Sequence, residues 1–242
     1  MSKKIILLAG PTASGKSKLA IQLAKKMKGE IINADSMQVY KEFSILSSKP
    51  DNLELKEVKH HLYGFVSVKE NFSAGDWLKK TKTIIKLCLK KKKIPIIIGG
   101  TGLYFNTITK GISKIPNIDT KTRNKVRSLF KKLGQVKFYE KLLEIDPKVK
   151  DKILYTDSQR AQRAYEVIIK TKKSLFDWMS NTKSDFDDYD IKKIFIKIPK
   201  EELLKKISKR TETMFKNKCV EEVKKFNTLK LNKSLSANKL IG

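Results

Sequence analysis

Apolar residues follow two rhythms over the first hundred positions. Three stretches read as strands: "KKIILLA" (Lys3–Ala9), the short "EIINAD" (Glu30–Asp35) and "IPIIIGG" (Ile94–Gly100). The last is apolar throughout, as a strand buried on both faces would be. Between them the spacing turns helical. From Ser17 to about Lys28, apolar positions fall at Leu19, Ala20, Leu23, Ala24 and Met27. A second helix is predicted over 73–93, where Ser73 supplies an N-cap and Trp77, Ile84, Ile85, Leu87 and Cys88 supply the apolar face.

Strands alternating with helices predict an α/β class with a mainly parallel sheet and right-handed crossovers. From about Asp119 to Asp190 the strand signal stops, and segments 120–133, 136–145, 157–171 and 174–180 all read as helices. "KKIFIKIP" (Lys192–Pro199) then restores a core strand, followed by helices at 200–216 and 219–229. The expected organisation is an α/β core over 1–118, an all-helical insertion over 119–190, and a return to the core over 191–242. No internal repeat is present.

A chain of 242 residues can bury a core of this size. No apolar run is long enough to cross a bilayer, and the N-terminal run is too short and wrongly flanked for a signal peptide. A cytoplasmic protein with no membrane partner is expected. Cys88 and Cys219 then read as buried, reduced thiols. His60 and His61 are adjacent, so their side chains diverge, and no further ligand stands at metal spacing; no zinc-type cage is expected.

Charge sharpens the choice of partner. Lys and Arg number 54 against 25 Asp and Glu, a formal net charge of +29. A polyanion follows, with nucleic acid ahead of a membrane surface. Lysine tracts such as Lys90–Lys93 also read as solvated filler, so charge by itself favours nucleic acid only modestly. The five arginines say more: Arg123, Arg127, Arg160 and Arg163 share one stretch, and Arg210 stands apart. Their planar guanidinium matches phosphate in a way lysine does not.

The chemistry starts at "GPTASGKS", Gly10, Pro11, Thr12, Ala13, Ser14, Gly15, Lys16 and Ser17, placed between a predicted strand and a predicted helix. That spacing makes a P-loop, which folds backbone N–H groups into a nest for oxyanions. Lys16 adds a point charge, the Ser17 hydroxyl can ligate Mg²⁺, and the helix start adds its dipole. Most such loops hold a nucleotide such as ATP or GTP. An NTPase also needs a carboxylate after a core strand for its metal, yet "IPIIIGG" leads only to Thr101. The acid is instead Asp35, behind "EIINA". Its position at a strand's carboxyl end suits catalysis, and equally suits a turn or helix cap. Thr101 likewise reads as a helix N-cap ahead of "LYFNTI".

Taken together these motifs resemble the tRNA dimethylallyltransferase (tRNA isopentenyltransferase) family. "GPTASGKS", "DSMQVY" (Asp35–Tyr40) and "IGGTGLYF" (Ile98–Phe105) carry the resemblance. "SSKP" (Ser47–Pro50), "FSAGDW" (Phe72–Trp77), "DSQRAQRAYEV" (Asp157–Val167) and "RTETMF" (Arg210–Phe215) follow in order. The resemblance implies transfer of a dimethylallyl group from dimethylallyl diphosphate to N6 of the tRNA adenosine 3′ to the anticodon. It implies that the P-loop holds the diphosphate, with Mg²⁺ and Arg210, and that Asp35 is the general base. It places Thr101 against the adenine or diphosphate. It puts Ser36, Met37, Gln38, Arg123, Gln159, Arg160, Ala161, Gln162 and Arg163 on tRNA, at the anticodon stem-loop. A monomer is expected.

Two departures accompany the match. Leu46 and Ser47 stand where the family has glycine and threonine. The family also continues past "IG" (Ile241-Gly242) with a tyrosine and further helices, so part of the tRNA grip is expected to be missing, either because the sequence is truncated or because the protein is a shortened version. Two other readings remain at this stage: a P-loop small-molecule or nucleotide kinase, and a non-catalytic basic RNA-binding remnant.

Overall fold

The computed structural model describes residues 3–232 and 235–239. The first of its two compact units comprises the chain up to Thr109 and again from Asp185; the second is Lys110–Ser184. The change of pattern in the sequence lies a few residues later at each boundary, at 118/119 and 190/191.

In the first unit, β1 (Lys4–Ala9), α1 (Lys16–Met27), β2 (Gly29–Asn33), α2 (Asn52–Glu57), β3 (His60–His61), α3 (Ala74–Lys90), β4 (Ile94–Gly99) and α4 (Gly102–Thr109) follow in order. β5 (Asp190–Phe195), α8 (Lys200–Lys216) and α9 (Cys219–Asn227) complete it. The strands form one sheet in the order β3-β2-β4-β1-β5, every pairing parallel.

Period-two alternation explains why the central strands are apolar along their whole length. Ile5, Leu7, Ile32 and Ile97 face α3 and α4 with Trp77, Ile85 and Ile108. Ile6, Leu8, Ile31, Ile96 and Ile98 face α1 with Ala20, Ile21 and Ala24. Each isoleucine taken fully out of water contributes about 1.5–3 kcal/mol, so these two layers dominate the stability of the unit. Ser73 caps α3 through a reciprocal box with Asp76, as its position predicts.

The strand expected to close the core is an edge strand. β5 pairs with β1 alone, and Lys192 and Lys193 on it are exposed. Only one side of β5 is hydrogen-bonded, which admits lysine and guards against edge-to-edge association. A further cluster joins Val39, Tyr40, Phe43 and Leu46 to Cys219, with Met214, Val223 and Phe226 packed on it. This cluster seats α8 and α9 against the segment that follows β2. Both cysteines are buried and free.

The second unit contains α5 (Thr120–Ile145), α6 (Ser158–Thr171) and α7 (Leu175–Ser180). Gly134 has φ 72° and ψ 178°, which breaks α5 where two separate helices were predicted. Its core is Val126, Phe138, Leu142, Val149, Ala161, Ala164 and Tyr165. Among the described residues no helix is long and apolar enough to cross a membrane.

Candidate active site

The P-loop leaves β1 and ends in α1, as its spacing requires. Gly15 is the N-cap with φ 81°, and Ala13 also takes positive φ, at 56°. Left-handed residues at these two points curl the backbone so that successive N–H groups face inward. Ser14 is buried, and its Oγ has no hydrogen-bond partner among the described residues. A buried hydroxyl without a partner costs free energy; an oxyanion in the nest would supply one.

Lys16 Nζ donates to the Gly10 carbonyl at 2.9 Å and the Pro11 carbonyl at 2.5 Å. An ammonium has three donors, so at most one is left for a phosphate in this arrangement. Burial lowers the Lys16 pKa, the Asp35 charge opposes that shift, and the Arg210 charge reinforces it. Arg210, reaching in from α8, donates to Thr12 Oγ1 at 2.8 Å. Its own pKa is lowered by burial and supported by Asp35. Two cations of the loop region therefore share one carboxylate as counter-charge. Arg210 also lines a cleft of about 820 Å³ with Ser48, Lys49, Tyr63 and Met214.

Asp35 is half-buried just past β2. Asn33, at the end of that strand, sets its backbone: Asp35 N donates to Asn33 Oδ1 at 2.8 Å, while Asn33 Nδ2 donates to the carbonyls of Asp35 and Leu62, each at 3.0 Å. Trp77 Nε1 in turn donates to the Asn33 carbonyl at 2.7 Å. Met37 N donates to Asp35 Oδ1 at 2.9 Å. The aspartate is thus a turn former through Oδ1, while its Oδ2 accepts no hydrogen bond among the described residues. The turn role and a role in chemistry are compatible, one oxygen for each.

Thr101 stands just before α4, its carbonyl accepting from Tyr104 N and Phe105 N at 3.0 and 3.4 Å, but its hydroxyl is used outside the helix. Its Oγ1 accepts from Ser36 N at 2.9 Å and donates to Ser36 Oγ at 3.3 Å, and its N–H donates to the Ala34 carbonyl at 3.2 Å. The hydroxyl is spent on fastening the Asp35 turn to the tip of β4. At Gly99 an added Cβ would stand 2.2 Å from the Ala34 carbonyl oxygen, so the two strand tips approach too closely for any side chain there. Gln38 Nε2 donates to the carbonyls of Ser47 and Ser48, each at 2.9 Å, which ties the "SSKP" segment to the same turn.

Two contributors, Asn33 and Glu222, escape the sequence reading, and for Ser14, already expected in the loop, only the burial of its hydroxyl is new. Asn33 shows only as a polar residue closing an apolar strand. Glu222 on α9 accepts from the N–H groups of Ser44, Ile45 and Leu46 at 2.6, 3.0 and 2.9 Å, and so braces the segment that Gln38 holds. The Ser14 hydroxyl is one loop position among eight, and burial alone distinguishes it.

The oxygen donors present suit Mg²⁺. The ion keeps several waters and takes one or two protein oxygens plus substrate phosphates, and Ser17, in the first turn of α1 at the end of the loop, is exposed and offers a hydroxyl.

In the helical unit, Asp157 caps α6 by accepting from Arg160 N at 3.0 Å. Gln159 and Arg160 are exposed, Ala161 is part of the core, and Gln162 and Arg163 are half-buried. Arg163 pairs with Glu166 at 3.3 Å and Arg160 with Asp157 at 3.4 Å. Arg123 Nε is buried without a partner among the described residues.

Comparison with known proteins now decides the ancestry. The family model described as IPP transferase matches residues 38–242. This chain belongs to the IPP transferase family. A tRNA dimethylallyltransferase from Pelagibacter ubique is 55% identical over 239 residues, covering 99% of this chain and 76% of that protein. One from Rickettsia massiliae is 42% identical over 222 residues, covering 91% of this chain and 61% of that protein. A solved eukaryotic dimethylallyltransferase acting on tRNA superposes with a TM-score of 0.81 at 29% identity, covering 99% of this chain and 58% of that one. A tRNA isopentenylpyrophosphate transferase from Bacillus halodurans gives 0.65 at 27% identity, covering 98% and 73%. The chain thus spans between about three-fifths and three-quarters of the length of these IPP transferase relatives.

Proposed function

We propose that this chain transfers the dimethylallyl group of dimethylallyl diphosphate to N6 of the adenosine that follows the anticodon in tRNA. The observation that carries this reading is the Asp35 carboxylate: Oδ1 is fixed by Met37 N, Oδ2 accepts no hydrogen bond among the described residues, and its charge acts on both Lys16 and Arg210. In the reaction the C1–O bond to diphosphate breaks, the C1–N6 bond forms, and the N6 proton passes to Asp35 Oδ2. An exocyclic aromatic amine is a poor nucleophile, so a base that removes its proton during attack contributes directly to the rate.

The leaving diphosphate sits in the Gly10–Ser17 nest. Lys16 and Arg210 neutralise the charge it gains, and the Ser14 hydroxyl donates to one of its oxygens. Mg²⁺, held by Ser17 and the diphosphate, would supply further charge neutralisation. Thr101, Ser36, Met37 and Gln38 shape the acceptor side. The adenine must leave its stack to reach Asp35. Arg123, Gln159, Arg160, Gln162 and Arg163 take the anticodon stem-loop, while Ala161, whose side chain lies in the core, serves by packing. The enzyme acts as a monomer in the cytoplasm.

The test is incubation with unmodified tRNA, dimethylallyl diphosphate and Mg²⁺, followed by mass spectrometry of the digested nucleosides. The expected result is one dimethylallyl unit on adenosine, abolished in Asp35→Ala. Phosphate transfer from ATP to a small molecule, with no prenylated adenosine, would replace this reading with a kinase.

A further inference from the structure

A second cluster lies at the opposite end of β2. Glu30 on β2, His61 on β3 and Cys88 on α3 each bring one donor atom to a point where all three lie within 4.8 Å of one another. His61 Nε2 and Glu30 Oε2 are 2.7 Å apart, and Cys88 Sγ is 3.6 Å from the same Oε2. Glu30 and Cys88 are buried, and the His61 side chain keeps 18% exposure, which leaves an entry path. His60 takes no part: its Nδ1 engages the Val58 carbonyl at 2.9 Å and its ring meets Tyr63 edge-on. Along the chain, 31 and 27 residues separate the three, a spacing that announces no site.

We infer that Glu30, His61 and Cys88 form a binding site for a zinc-type divalent metal ion, independent of the prenyl-transfer site. The donor set selects the ion. One sulfur, one imidazole nitrogen and one carboxylate oxygen are the mixture that zinc accepts, whereas magnesium and calcium require oxygen throughout. Three protein ligands leave a fourth tetrahedral position for water. The Cys88–Glu30 separation of 3.6 Å is close to the edge of a tetrahedron whose bonds are about 2.0–2.3 Å, while the His61–Glu30 pair at 2.7 Å must open to admit the ion. A neutral imidazole, a carboxylate and a thiolate also sum to the charge that cancels a divalent cation.

The proton balance is explicit. Binding releases the Cys88 thiol proton to solvent, and the proton between His61 and Glu30 when His61 is charged. Lys59 and Lys91 both favour the thiolate, although burial and the Glu30 charge hold the free thiol protonated, pushing its pKa up to about 12.

Position gives the role. Glu30 and Asp35 are five positions apart in the sequence, about 16 Å along an extended chain, so the ion would stand far from the reacting atoms. It would instead staple three elements together. β3 is two residues long and pairs with β2 alone. So short an edge strand gains from a ligand that binds it, β2 and α3 at once.

The test uses the full chain, stripped with a chelator and titrated with Co²⁺. One equivalent is expected to bind with a thiolate-to-cobalt charge-transfer band, and Zn²⁺ should abolish the band and raise the melting temperature. Cys88→Ser should lose the band, whereas Cys219→Ser should keep it. Glu30→Gln preserves shape and hydrogen bonding, and should weaken Co²⁺ affinity by about tenfold or more. No thiolate band at excess cobalt, a band that survives Cys88→Ser, or unchanged affinity in Glu30→Gln would each overturn the site. None of these readouts depends on tRNA prenylation.

Discussion

The two sides of the candidate active site are held in different ways. On the acceptor side, Asp35 is tied down by hydrogen bonds with Asn33 and Met37, the next residue Ser36 is bonded to Thr101, and Asn33 is itself held by Leu62 and Trp77. On the donor side, Lys16 spends two donors on carbonyls of its own loop, Arg210 rests on one exposed threonine hydroxyl, and Ser14 Oγ has no partner among the described residues. The acceptor side is built by neutral, short-range bonds between strand tips, so its geometry exists before any substrate arrives. The donor side is a set of cations and dipoles whose partner is an anion. On the proposed reading, the difference teaches that the acceptor side is positioned by the fold, while a bound diphosphate would position the groups that hold it.

This contrast can be broken by variants graded by size of effect. Asp35→Asn keeps the turn and removes the base, so kcat should fall by about 10²–10⁴-fold with tRNA affinity retained; a fall in affinity alone would deny Asp35 its separate chemical role. Lys16→Ala should cost about 10²–10³-fold in kcat/KM for the isoprenoid diphosphate, read in steady-state kinetics, with chemical denaturation unchanged. Asn33→Ala reverses that pattern. Loss of a buried side chain with bonds to Asp35 and Leu62 should lower stability by about 1–3 kcal/mol, measured by urea unfolding, and activity should fall with it. Equal stability losses for Lys16→Ala and Asn33→Ala would erase the distinction between the two sides. The smallest effect is expected in the helical unit. Arg160→Ala should lower the slope of log affinity against log salt for tRNA by about one, with little change in unfolding. Arg163→Ala should act similarly, offset in part by its existing pair with Glu166.

The donor side was almost wholly readable in the sequence. Gly10–Ser17 is a contiguous loop whose function depends on backbone curl, and curl is dictated by residue spacing. β1 and β4 were equally clear, because strands covered on both faces are apolar over their central residues, and β2 showed through its Ile31-Ile32 pair between Glu30 and Asn33. The acceptor side was half readable. Asp35 stood out at a strand's end, but its support comes from Asn33, Leu62, Trp77 and Thr101, drawn from four elements that only the sheet order brings together. β5 was misjudged as a core strand because an edge strand with a few isoleucines resembles one until its neighbours are known. β3 was invisible, since two residues carry no periodicity, and with it went the meeting of His61, Glu30 and Cys88.

Gly99 places a severe restriction on drift at this locus. With the Ala34 oxygen 2.2 Å from where a methyl carbon would be, even alanine must pry the second and fourth strands apart at their ends. That carbonyl is also the acceptor for the Thr101 amide, so the wedge would carry the threonine and the aspartate out of alignment together. One hydrogen atom in place of a side chain keeps the Asp35 turn and its brace in register, and a substitution of the smallest kind there is expected to cost the proposed activity before it costs the fold.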